Sequence, residues 1–106
     1  MAWIYLFVAG LLEVVWAYSM KLSDGFTRPV PAVVTIVAMI ASFTLLALAM
    51  KQLPLGTAYT IWTGIGAVGA FVLGIVMLGE ALTAMRVVAA VMIVGGLVLM
   101  KLSTPV

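Results

Sequence analysis

The sequence predicts an all-α integral membrane protein with four transmembrane helices per chain. Three observations predict it. Apolar residues make up 67% of the 106 residues and charged residues only 8%, against about 25% charged in an average soluble domain. Mean hydropathy is +1.40. The apolar residues fall in four continuous runs, each near the length that crosses a hydrocarbon core of about 30 Å as a helix, and not in the short alternating segments of a barrel. A soluble globule of this size needs a largely polar exterior, which this chain cannot make. With no Cys and no His, disulfides and the usual zinc and iron ligand sets are ruled out. No metal site is expected, and the pattern requires no cofactor. The net charge of +2 has no basic cluster, which argues against nucleic acid as a partner.

A single transmembrane domain over 1–106 is expected, with spans near 2–21, 29–50, 55–78 and 84–101. Segment one has Trp3 and Tyr5 near one end and Tyr18 near the other, where amphipathic rings meet the headgroups. It lacks a basic start and carries Glu13, so it reads as a retained helix and not a signal peptide. Lys21, Asp24, Gly25 and Arg28 form a polar link, with Asp24-Gly25 as turn chemistry.

Segment two opens at Pro29 or Pro31, which suit a first helical turn, and runs without charge to Met50. Ser42 is its central hydroxyl. Lys51-Gln52-Leu53-Pro54 closes it in a short hairpin. Segment three is the least lipid-like, with Gly56, Gly64, Gly66, Gly69 and Gly74 and with Thr57, Tyr59, Thr60, Trp62 and Thr63 in its first half. Gly66, Ala70 and Gly74 form a small-xxx-small face for close packing, and Gly64 with Gly66 marks a bending point. After the link at 79–83, segment four holds Arg86 near its start and the pair Gly95-Gly96. It reads as a packing or oligomerisation helix, followed by a frayed tail at 103–106. Glu80 and Arg86 read as helix-end solvation or a link salt bridge.

Four spans put both termini on one side. Lys51 and Lys101 fall on that side, and Lys21, Arg28 and Arg86 on the other. The positive-inside bias is nearly balanced, so the chain is expected to insert in both orientations. Transporters often alternate access through two inverted halves. This chain is too short to hold both and shows no internal repeat, so an antiparallel second copy would supply the other half.

Glu13 is the residue around which the rest is organised. A carboxylate at mid-span costs roughly 2.5–3.5 kcal/mol on the lenient insertion scale, and such residues face a partner, a bundle interior or a wet cavity. Residues three and four away share its face: Ala9, Gly10, Trp16 and Ala17. Small residues leave room there, and Trp16 adds a flat wall and an indole N–H. That is what a compact organic cation needs, since the carboxylate accepts bidentate hydrogen bonds and the ring face attracts the charge. Tyr59, Trp62 and Gly66 share a face of segment three that can oppose it. Protons and a cation would compete for Glu13, and exposing it alternately to the two sides gives proton-coupled antiport. The bland reading of Glu13 is a structural hydrogen bond to Tyr59 or Ser42, or simply a neutral buried acid. For Ser42 the bland reading is a bond to its own helix at i−4, and for Trp16, Tyr59 and Trp62 it is packing.

Gly10-Leu11-Leu12-Glu13-Val14-Val15-Trp16-Ala17, residues 21–28 and residues 54–66 together carry a resemblance to the small multidrug resistance family, and within it to the guanidinium-exporter subtype. The likeness covers the whole chain. It implies an antiparallel, dual-topology homodimer in the bacterial inner membrane, with segments one to three lining the cavity and segment four, including Gly95 and Gly96, making the dimer contact. It further implies proton-coupled export of guanidinium. Glu13 would bind both protons and substrate, Trp16, Ser42 and Trp62 would orient it through hydrogen bonds, Gly10 would leave space, and Tyr59 would lie in or near the pocket. Membrane lipids are the remaining partners. Asp24 departs from the subtype pattern, in which a neutral amide is expected. Alternatives are an exporter of bulkier quaternary ammonium compounds, with Met39, Ile40 and Phe43 lining a portal for alkyl tails, or a non-transporting accessory subunit. A passive channel is disfavoured, because no ring of polar residues accompanies Glu13.

Overall fold

The computed structural model describes residues 1–104 of the chain. Four helices account for nearly all of it: α1 (Ala2–Leu22), α2 (Pro29–Ala49), α3 (Leu55–Leu78) and α4 (Ala84–Ser103). All four are long and apolar enough to cross a membrane.

Local chemistry sets the ends of the helices. Arg28, held extended by the proline after it, precedes Pro29 in the first turn of α2, where the missing N–H costs nothing. Pro54 is instead the N-cap of α3, extended at φ −60° and ψ 150°. Gly79 takes the left-handed conformation at φ +70°, and Glu80 N then donates to Gly74 O at 2.9 Å, the six-to-one bond that closes a helix C-terminus. Thr83 Oγ1 accepts from Arg86 N at 3.2 Å and caps α4.

The α1–α2 link is more constrained than Asp24-Gly25 alone implies. Asp24, Gly25 and Phe26 are all left-handed (φ 50°, 72° and 67°), a conformation costing roughly 1–2 kcal/mol per non-glycine residue. Ser23, fully buried, offsets that cost. Its hydroxyl donates to Met20 O at 2.7 Å and accepts from Phe26 N at 3.1 Å, while its carbonyl accepts from Thr27 and Arg28 N.

The helices form a slab, 43 × 34 × 16 Å, and not a closed bundle. α1 lies at its centre, against α2 and α3, and the backbone of α4 approaches only α3. The ends of α1 and α3 that carry Tyr18, Lys21, Leu78 and Glu80 lie together around one cavity, so these two helices run the same way. Lys101 Nζ lies 5.1 Å from the Trp3 ring, which joins the end of α4 to the start of α1. The face α2 turns inward is Thr35, Ala38, Ser42, Leu46 and Ala49, mostly small, which lets α1 approach closely. Leu6, Ala9, Leu46, Leu53, Ile61 and Trp62 belong to the packed core, which fills the half of the slab nearest the termini. α4 has no buried residue.

The expected tail needs correction at Ser103 and Thr104. Ser103 is the last residue of α4. Thr104 Oγ1 donates to Met100 O at 2.6 Å and lies 3.4 Å from Thr57 Oγ1. Pro105 and Val106 lie outside the described residues. Gly64 and Gly66 do not interrupt α3, which is one continuous helix.

Candidate functional site

Glu13 stands near the middle of α1 and leans onto α3. The contact is made by Gly66, where a Cβ would collide with Glu13 Oε1. Gly66 is therefore the seat of the carboxylate. One turn further on, Val14 closes on Gly69 in the same way, a contact that the Gly66/Ala70/Gly74 stripe does not foretell. Ala70 is exposed. With Ala17, Gly74 and Glu80 it lines a cavity of about 140 Å³ between α1 and α3. Gly74 is buried beneath the Glu80 carboxylate, whose Oε1 lies 2.7 Å from where a Cβ would stand.

Two polar side-chain atoms are buried without a hydrogen-bond partner among the described residues: Glu13 Oε1 and Trp16 Nε1. One is an acceptor and the other a donor. They belong to residues three apart on one helix, which share a face.

Ser42 and Trp62 form a different network from the one expected. Trp62 Nε1 donates to Ser42 Oγ at 3.0 Å, and Ser42 Oγ donates to Ala9 O at 2.7 Å. The chain of bonds runs from α3 through α2 to the backbone of α1 and does not include Glu13. This corrects two expectations. Ser42 does not bond back to its own helix, because its buried position puts the Ala9 carbonyl within reach. Trp16, Ser42 and Trp62 do not orient Glu13 by hydrogen bonds within one chain. The room expected at Ala9 and Gly10 is also filled. Ala9 is fully buried, and Ile65 occupies the space at Gly10, where a Cβ would come within 2.6 Å of Ile65 Cγ2.

The aromatic residues form a continuous series. Trp16 meets Phe43 at 6.4 Å between centroids and 71° between planes. Phe43 meets Trp62 at 5.7 Å and 58°, and Trp62 meets Tyr59 at 5.6 Å and 41°. These separations lie in the favourable range for edge and tilted pairs. Sequence reasoning placed Phe43 only at a portal. No sequence signal marks it, since adjacent residues of a helix do not share a face, and the large Trp62 ring reaches both Ser42 and Phe43. Trp62 is buried and Tyr59 half exposed.

Gly64 receives Leu97 of α4, with Leu97 Cδ1 3.1 Å from where a Cβ would stand. Gly95 and Gly96 have nothing within 4 Å of that position. Gly96 and Tyr59 line a groove of about 490 Å³ between α3 and α4. Glu80 and Arg86 form a link ion pair at 3.5 Å. Arg86 also donates to Ala81 O at 2.9 Å and lies 5.3 Å from the Phe71 ring centroid.

A family model described as Small Multidrug Resistance protein matches residues 1–94. The chain is 58% identical over 104 residues to the guanidinium exporter of Escherichia coli (strain K12), covering 98% of this chain and 99% of that one. It is 55% identical over 104 residues to the guanidinium exporter of Yersinia pestis, covering 98% and 100%. It is 54% identical over 104 residues to that of Citrobacter freundii, covering 98% and 99%.

Proposed function

The chain belongs to the Small Multidrug Resistance family, and from that premise we propose that it exports guanidinium and small guanidinyl cations across the bacterial inner membrane in exchange for protons. The observation that carries the reading is Glu13, a carboxylate near the middle of a helix long and apolar enough to cross a membrane, with Oε1 buried and unpaired among the described residues. Its relatives, named guanidinium exporters, cover nearly all of the chain.

The chemistry follows from the residues. A guanidinium ion is planar and offers parallel N–H donors that match the two oxygens of Glu13. The face of Trp16 adds attraction for the cation. A proton on Glu13 removes both the charge and an acceptor site, so proton and cation exclude one another at this residue. Exchange follows when the site opens first to one side with a proton and then to the other with the cation. Trp62 and Ser42 hold the wall of the site, Tyr59 stands at its open edge, and Gly66 keeps α3 close enough to seat Glu13. Gly10, Gly64 and Gly74 serve close approach between elements, and Ala70 flanks the cavity next to the site.

The working unit is an antiparallel, dual-topology homodimer. Three features support this: the balanced Lys and Arg of the two sides, an α4 with no buried residue, and the open positions at Gly95 and Gly96. α4 is the contact helix. A second copy would bring further donors to Glu13 Oε1 and an acceptor to Trp16 Nε1.

The deciding experiment measures proton release when guanidinium is added to purified protein in weakly buffered detergent. The parent protein is expected to release protons and Glu13→Gln to release none. No release from the parent overturns antiport, and tight guanidinium binding by Glu13→Gln overturns the site. Release on adding tetraalkylammonium ions but not guanidinium would reassign the substrate to bulkier quaternary ammonium compounds.

A further inference from the structure

We infer that Phe43 is a positioning residue for the cation site, acting through Trp16; this rests on the assignment of Glu13 and Trp16 to that site. Trp62 is fixed from two sides by adjacent residues of α2. Ser42 accepts its N–H at 3.0 Å, and the Phe43 ring lies 5.7 Å from its own. Trp16 has no such anchor, since its indole nitrogen is buried without a partner among the described residues. Its one aromatic contact there is with Phe43, at 6.4 Å between centroids and 71° between planes. Phe43 therefore relays the fixed orientation of Trp62 to Trp16, across three helices.

The consequence is chemical. Trp16 shares a helix face with Glu13, so the tilt of its ring sets how a planar cation on Glu13 meets the π face. A T-shaped contact requires a ring on the α2 side. An aliphatic side chain of similar volume fills the space but does not prefer one angle.

The test compares Phe43→Leu and Phe43→Tyr with the parent in detergent, reading near-ultraviolet circular dichroism without ligand and guanidinium affinity at fixed pH. Phe43→Leu is expected to change the tryptophan bands and weaken guanidinium binding roughly two- to tenfold. Phe43→Tyr, which keeps the ring, is expected to restore both. A Phe43→Leu spectrum that matches the parent overturns the inference, as does a loss of affinity that Phe43→Tyr shares. If the parent itself binds no guanidinium, the functional reading fails, and the spectra still decide the Trp16 claim once Phe43→Leu is repeated in a Trp16→Phe background: a band change that persists undiminished there comes from Trp62 and overturns the inference.

Discussion

Trp62 Nε1 donates to Ser42 Oγ at 3.0 Å, and the same hydroxyl donates to Ala9 O at 2.7 Å. Both side chains are buried, so the bond is made away from water. Ser42→Ala leaves the Trp62 N–H without its acceptor, at a cost of about 1–3 kcal/mol. Thermal unfolding in detergent should show that loss. Trp62→Phe removes the donor instead, and the double substitution should cost less than the sum of the two, with a coupling of roughly 0.5–3 kcal/mol.

Gly66 makes a sharper prediction, because its missing Cβ is the space where the Glu13 carboxylate rests. Gly66→Ala drives the carboxylate off its seat or α1 away from α3, an overpacking cost of about 1–3 kcal/mol. Guanidinium-dependent proton release should fall at least as much as for Glu13→Asp. Gly56→Ala is the control on the same helix, since nothing lies within 4 Å of its added methyl. It should leave transport unchanged.

The pH dependence has a definite sign. Guanidinium binds the carboxylate form of Glu13, and a proton occupies the same oxygens. Affinity therefore rises with pH and falls as acid is added, approaching about tenfold per pH unit for each proton displaced. Titration calorimetry across neutral pH measures the slope. Glu13→Gln should give no guanidinium binding signal at any of these pH values.

Gly95 and Gly96 separate the single chain from its assembly. An added methyl at either position meets nothing within 4 Å, so it is expected to leave the chain's own packing intact. Larger side chains, as in Gly96→Leu, should reduce dimer cross-linking in liposomes while helix content by circular dichroism stays constant. An unchanged dimer fraction would move the contact away from this part of α4.

Much of this was legible in the sequence, and the failures around Glu13 share one cause. Helical spacing says which residues share a face on their own helix, and on that basis Glu13 with Trp16 and Tyr59 with Trp62 were grouped. It does not say which face meets which neighbour. Ala9 and Gly10 read as open space because they are small. In the fold, small residues draw a neighbour in, so Ile65 fills the space at Gly10 and Ser42 reaches the Ala9 carbonyl. Phe43 read as a portal-lining side chain beside Met39 and Ile40, and only the position of Trp62 shows what it touches. The left-handed run through Phe26 was hidden for another reason: phenylalanine is a poor turn residue, and the bonds to Ser23 that hold it are invisible to local propensity.

The absence of any buried residue in α4 makes dilution as informative as mutation. A helix that packs only partly buried side chains such as Leu97 and Met100 against its own chain takes the rest of its tertiary stabilisation from whatever lies beside it in the bilayer. If that neighbour is a second copy, mass action applies in two dimensions. The active fraction then depends on molecules per area of membrane, and thinning the protein with added lipid should silence it without altering a single side chain.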